Sequence, residues 1–273
     1  MKKNYIKKIV KAGYGKIAKS ESSCCSSGCG CGGGQTQSIS RGIGYSDAEI
    51  NDVPAGANLG LGCGNPLALA SLKLGETVLD LGSGAGFDCF LASRKVGPKG
   101  RVIGVDMTPE MIAKARANAR KGNYANVEFR ASEIENLPVD DNSVDIIISN
   151  CVINLSPDKP AVFKEAFRVL RPGGRLMVSD IVMVKPMPAA IKKSIGAYVG
   201  CLTSAVMKSE YIKAVKDAGF GKVAILDEDA YPIKYMANDP TAQALAQTLD
   251  ISSKAVQAAA KSVVSIKVRA VKK

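Results

Sequence analysis

The 273-residue chain contains no histidine and no tryptophan, and aromatic residues make up only 5% of it. Without imidazole there is no side chain whose ordinary pKa lies near neutrality, and no ring nitrogen to complete a zinc-type site. Chemistry here must use carboxylates, thiols, phenols or amines, or need no proton acceptor. So few aromatics cannot build a stacking platform for single-stranded nucleic acid, and no nucleic-acid partner is expected despite a net charge of +12. Much of that excess lies at the two ends: Lys2, Lys3, Lys7, Lys8, Lys11, Lys16 and Lys19, then Lys267, Arg269, Lys272 and Lys273. Elsewhere Lys and Arg alternate with Glu and Asp, the pattern of a solvated helical face. No apolar run approaches a membrane span, and no uninterrupted apolar stretch follows Met1-Lys2-Lys3 as a secretory leader requires. A cytoplasmic protein without membrane contact is expected.

With 46% hydrophobic and 23% charged residues, the chain has the composition of a globular protein with a sizeable core. Short apolar runs at Thr77–Leu81, Arg101–Asp106, Val127–Ala131, Val144–Ser149 and Leu176–Val182 read as buried strands. Helical patterns separate them: one from Asp88 to Val96, one from Glu110 to Lys121, and one from Asp158 to Leu170 that Arg171-Pro172-Gly173-Gly174 ends. Strands and helices alternating at these lengths predict an α/β fold with a doubly wound parallel sheet. Upstream, residues 1–20 read as a basic helix interrupted at Gly13 and Gly15, and Glu21–Gly34 as a flexible Gly/Ser-rich segment. Ser46 and Glu49 form a capping box, and Asn65-Pro66 predicts a helix over Leu67–Leu72. Downstream of Pro186 and Pro188, helices are expected at Ala189–Val199, Ser209–Ala218, Thr241–Leu249 and Ser253–Lys261. Val223–Leu226 and Val263–Val271 would close the sheet as an antiparallel hairpin. The segments are therefore 1–55, basic helix and Cys/Gly-rich stretch; 56–185, the ligand-binding domain; and 186–273, a smaller α+β portion.

The centre of this organisation is Val78-Leu79-Asp80-Leu81-Gly82-Ser83-Gly84-Ala85-Gly86-Phe87-Asp88. A strand that gives way to glycines and then a helix makes a ligand crevice at the carboxyl edge of a sheet. A dinucleotide-binding Rossmann site is the competing reading, but its fingerprint wants Gly or Ala where this chain has Phe87. Asp80 beside the loop also suits an ammonium or sulfonium better than a phosphate. Asp106 follows the glycines by about twenty residues, the separation at which an acid meets a ribose hydroxyl pair. The Asp80–Gly86 run resembles motif I of the class I S-adenosylmethionine methyltransferases, Rossmann-like folds on a seven-stranded sheet. That resemblance implies S-adenosyl-L-methionine as co-substrate. Asp80, Gly82, Gly84, Gly86 and Asn150 would meet its methionyl part, Asp106 its ribose, and Met107, Glu133 and Ile134 its adenine.

Eight cysteines are unusual in a chain expected to be cytoplasmic, where disulfides are mostly transient or catalytic. Four of them, Cys24, Cys25, Cys29 and Cys31, fall within eight residues without the paired spacing of a structural zinc site. Cys89, on the helix after the glycines, reads as core. The blocks Gly60–Pro66, Val105–Pro109, Asn150–Pro157 and Tyr198–Cys201 together are similar to the arsenite S-adenosylmethionine methyltransferases, from about Tyr14 to the last strand. By that resemblance Cys63, Cys151 and Cys201 would hold trivalent arsenic, with Cys24 and Cys25 a looser match to thiols near the family's termini. The chemistry is coherent. As(III) is soft and takes thiolates, and its lone pair can attack a sulfonium methyl in line without a base. The transfer formally makes As(V), so thiols must reduce it, with thioredoxin or glutathione restoring them. The resemblance thus implies a monomeric enzyme of arsenic detoxification that acts on arsenite or its thiol conjugates. A methyltransferase of a phenol- or quinone-type acceptor, or a non-catalytic thiol-rich metalloid binder, remains as an alternative.

Overall fold

A computed structural model describes residues 3–19, 33–66, 71–187, 204–230 and 261–273. Strands β1 (Thr77–Leu81), β2 (Arg101–Asp106), β3 (Val127–Ala131), β4 (Val144–Asn150), β5 (Leu170–Met183), β6 (Gly221–Ala230) and β7 (Val263–Val271) form one sheet in the order β3-β2-β1-β4-β5-β7-β6. The first five run parallel. β7 lies antiparallel between β5 and β6, which is the expected closing hairpin.

A parallel sheet must be covered on both faces, and its strands are accordingly apolar at consecutive positions. Helices α4 (Phe87–Val96) and α5 (Pro109–Lys121) cover one face, where Val78, Ile146 and Ile148 meet Phe90, Ile112 and Ala115. Helices α6 (Lys159–Val169) and α7 (Lys208–Asp217) cover the other, packing Phe163 and Tyr211 on Leu79, Leu81 and Ile147. Asp158 caps α6 by accepting from the Ala161 N–H at 3.2 Å. The Ser46/Glu49 capping box opens α3 (Asp47–Asn51) as expected.

Four elements differ from the sequence reading. Helix α1 (Lys3–Lys19) runs through Gly13 and Gly15 without a break. Gly15 lets it lie close on α5: a Cβ there would sit 3.2 Å from the Glu110 carboxylate. Its lysines pair with acids of the main domain, Lys3 with Asp158, Lys7 with Glu133 and Glu135, and Lys19 with Glu110. Helix α2 (Gly33–Gly42) begins inside the segment expected to be flexible.

The third difference is at the Arg171–Gly174 turn, which belongs to β5. Helix α6 stops at Val169, and the pairing with β4 jumps from Val144/Leu170 to Ile146/Arg175. The Gly173 N–H is taken up by the Lys272 carbonyl at 2.8 Å. A helix through Leu72 is also not formed at its end, since Ser71 is left-handed (φ 46°). Cys24, Cys25, Cys29, Cys31 and Cys201, together with the expected helices at 189–199 and 241–249 and nearly all of that at 253–261, lie outside the described residues.

Candidate active site

The strand order reverses between β1 and β4, and such a switch point opens a crevice beyond the carboxyl ends of the strands. The glycine loop forms one wall of this cavity. Gly82 has φ +71°, and a Cβ there would lie 2.4 Å from Val152, so the loop can pass that side chain only as glycine. Gly84 faces open space, and its N–H donates to Asp106 Oδ2 at 3.0 Å. Gly82, Gly84, Asp80, Asp106, Met107, Ile134, Asn150 and Cys151 all line the cavity. Gly86 does not; it caps α4 against Phe90 and Phe129. Glu133 is half exposed, held by Lys7 at 2.6 Å outside the lining, whereas Glu135 two residues on is part of the lining.

The carboxylates are buried, and burial dominates their ionisation. Asp80 is held well above the usual carboxylate range by burial and by the Asp88 charge, against one hydrogen bond from the Cys89 thiol at 3.2 Å. Cys89 is therefore more than filler in the core. Burial lifts Asp88 to about 6, although Tyr45 Oη donates to it at 2.6 Å and Asn150 Nδ2 at 3.4 Å. Burial also raises Asp106, opposed by the N–H groups of Thr108 and Gly84. Burial dominates all three acids, and a cationic ligand beside them would restore their charged form.

Beyond the cavity wall the chain assembles a second cluster. Cys151, at the end of β4, adopts a left-handed backbone (φ 63°), a conformation that costs a non-glycine residue about 1–3 kcal/mol. Its N–H donates to the Ser179 carbonyl of β5 at 2.8 Å. The 58–64 loop lies across these strand ends. Asn150 accepts from the Cys63 N–H at 2.9 Å and donates to the Gly64 carbonyl at 2.7 Å, and Ser265 Oγ donates to the Cys63 carbonyl at 2.8 Å. Gly64 permits the contact, since a Cβ would fall 2.0 Å from Ser179 Oγ. The outcome is that Cys63, Cys151 and Asp180 gather with one sulfur each and a carboxylate oxygen all within 4.8 Å of one another. Cys151 opens onto the cavity; Cys63 lies behind it and is not part of the lining.

Sequence reasoning missed four contributors. Helix α1 roofs the cavity with Lys7, Val10 and Tyr14, and its apolar spacing gave no sign of which surface it would cover. Tyr45 and Asp88 brace Asn150, with Asn150 Nδ2 also donating to Tyr45 Oη at 3.0 Å. Asp180 sits mid-strand within an apolar run, and that misplaced charge was the one local signal available.

The sheet order, the glycine wall and the buried acids define a methyltransferase-type domain, and the family described as "Methyltransferase domain" matches residues 72–219. The arsenite methyltransferase of Halobacterium salinarum is 48% identical over 231 residues, 82% of this chain and 59% of that protein. The human arsenite methyltransferase is 39% identical over 152 residues, 52% of this chain and 40% of that one. The crystal structure of the arsenic (III) S-adenosylmethionine methyltransferase of Chlamydomonas reinhardtii superposes with a TM-score of 0.63 at 30% identity, covering 88% of this chain and 73% of that one. The chain belongs to the arsenic (III) S-adenosylmethionine methyltransferase family. It spans about half the length of the curated relatives it matches, 59% of the first and 40% of the human protein.

Proposed function

We propose that this protein methylates trivalent arsenic with S-adenosyl-L-methionine, and that its biological role is arsenic detoxification in the cytoplasm. The carrying observation is the placement of two buried thiols at the end of β4, one of them opening onto the glycine-walled cavity. The cavity suits the methyl donor. The Gly82–Gly84 backbone would leave room for its methionyl part, Asp80 and Asn150 would meet its cationic end, and Asp106 its ribose. Met107 and Ile134, which line the cavity, would flank the adenine, with Glu135 in the lining and Glu133 outside it. The donor supplies an electrophilic methyl group to this site. Cys63, Cys151 and Cys201 would hold As(III) as thiolates, and Cys151, which lines the cavity, would bring its lone pair toward the methyl group. Arsenic passes formally from As(III) to As(V) on methylation, and two thiols return it to As(III) by forming a disulfide, which thioredoxin or glutathione reduces. No histidine is needed, because the attacking atom carries no proton.

Incubation with arsenite, S-adenosyl-L-methionine and excess thiol, with speciation of the arsenic products, tests this. S-adenosylhomocysteine and methylated arsenic are expected to accumulate together, and Cys151→Ser and Cys201→Ser to abolish both. Wild-type turnover in both serine variants, or turnover of an organic acceptor alone, refutes the arsenic reading. Arsenite binding with no S-adenosylhomocysteine would leave only a metalloid binder.

A further inference from the structure

The carboxyl group of Asp180 has no part in the mechanism above, yet it shares a small space with both described thiols. It is completely buried on β5, and one of its oxygens lies within 4.8 Å of Cys63 Sγ and Cys151 Sγ. Its environment holds it in place with four groups. Tyr211 Oη donates to Oδ2 at 2.9 Å, the Ile181 N–H donates to Oδ1 at 3.0 Å, the Asn154 N–H also donates to the carboxyl group, and the Lys159 ammonium acts on it electrostatically. Lys159 is itself fixed by the carbonyls of Asn154, Ser156 and Ser204 at 2.9–3.1 Å. Burying a carboxyl group is costly unless it is compensated. A carboxylate has about four acceptor positions, and the Tyr211, Ile181 and Asn154 donors leave one of them on a group that shares its space with the two sulfurs.

We propose that Asp180 is a specificity residue that receives the oxygen remaining on arsenic when Cys63 and Cys151 have bound it. This rests on the reading of those two cysteines as arsenic-holding thiols. Arsenous acid exchanges two hydroxyls for two thiols: As(OH)3 plus two R–SH gives (RS)2As–OH plus two waters. Two As–O bonds break, two As–S bonds form, each thiol proton leaves in a water, and arsenic stays trivalent. The product keeps one hydroxyl, which donates its hydrogen to Asp180. An arsenical whose third position is carbon keeps no hydroxyl and gains nothing from Asp180. The pair of thiols thus selects arsenic, and the carboxyl group selects its hydroxylated form.

The test compares arsenite with phenylarsine oxide, which binds two thiols and then has no oxygen left, on the full chain carrying Cys201→Ser. Dissociation constants are measured by equilibrium dialysis with elemental detection of arsenic. Asp180→Asn is expected to weaken arsenite about tenfold, the cost of replacing a charge-capable acceptor by a neutral one. Phenylarsine oxide should stay within about twofold, the margin of a lost contact it never makes. Equal weakening of both arsenicals, or of neither, overturns the proposal. If Asp180→Asn does not fold, Tyr211→Phe decides, since it keeps the carboxyl group and frees its anchor: an arsenite-only loss supports the proposal and no loss overturns it. Should Cys63→Ser and Cys151→Ser leave phenylarsine oxide binding intact, the thiol reading itself fails and takes this one with it. An absent effect at Asp180 alone leaves that reading standing.

Discussion

The Asn150 side chain bridges 87 residues of sequence to hold Cys63, accepting from its backbone N–H at 2.9 Å. Because Asn150 immediately precedes Cys151, one amide group sets the position of one thiol relative to the other. Its Nδ2 completes the clamp on the Gly64 carbonyl at 2.7 Å. Asn150→Ala removes both bonds and strands a buried N–H and C=O, at a cost of about 1–3 kcal/mol for each group left without a partner. Phenylarsine oxide affinity, which requires two thiols at fixed separation, is expected to fall at least as sharply as thermal stability. Unchanged affinity would show that the loop holds Cys63 without Asn150.

Gly64 is the second support of that loop. An added Cβ would meet Ser179 Oγ at 2.0 Å and its Cβ at 2.9 Å, with buried strand beneath. Gly64→Ala is therefore expected to destabilise by about 1–3 kcal/mol, as overpacking does. Ser179→Gly in the same chain should restore part of the loss, because it removes both atoms in conflict. A Gly64→Ala melting temperature equal to the wild type would mean that the loop does not lie against β5.

Helix α1 is held over the cavity by Lys7, whose ammonium reaches Glu133 at 2.6 Å and Glu135 at 3.2 Å. Pairs of this kind at a partly exposed site stabilise by no more than about 1 kcal/mol. Lys7→Ala should thus change the melting temperature little. Lys7 also lines the cavity, so S-adenosyl-L-methionine binding is expected to weaken several-fold. Calorimetric titration of the donor into wild type and variant separates the two effects, and equal donor affinities would remove α1 from the binding site.

Asp88 carries a pH signature. Its pKa rises from 3.8 to about 6 on folding, chiefly through burial. Between those values the folded chain holds a proton that the unfolded chain has released, so stability falls as pH rises. The contribution is full below the unfolded value and is lost as pH passes through about 6. Thermal unfolding across that window should show a steeper decline with pH for the wild type than for Asp88→Asn. An unchanged slope would place Asp88 in contact with water.

Much of the sheet was legible because strand burial is written locally. Thr77–Leu81, Arg101–Asp106, Val127–Ala131 and Val263–Val271 form strands at the bounds their apolar runs predict. Arg171–Gly174 was misjudged because a Pro-Gly-Gly run usually ends an element, whereas here a bulge and the Lys272 carbonyl absorb it within β5. Gly13 and Gly15 mislead for a related reason. Glycine weakens an isolated helix, but α1 is pinned to α5 and to four acids, and close approach favours the missing Cβ.

The donor loop, the alternation of strands and helices, and the thiol-rich character are properties of neighbouring residues, so the sequence alone determined them. Side-chain period, glycine spacing and composition act over one or two turns of chain. The meeting of Cys63, Cys151 and Asp180 is different in kind. It depends on β4 and β5 lying side by side, on a left-handed residue at the strand end, and on a glycine loop pressed flat by Asn150 and Ser179. None of these contacts is local, and only the folded chain brings a carboxyl group to the two sulfurs.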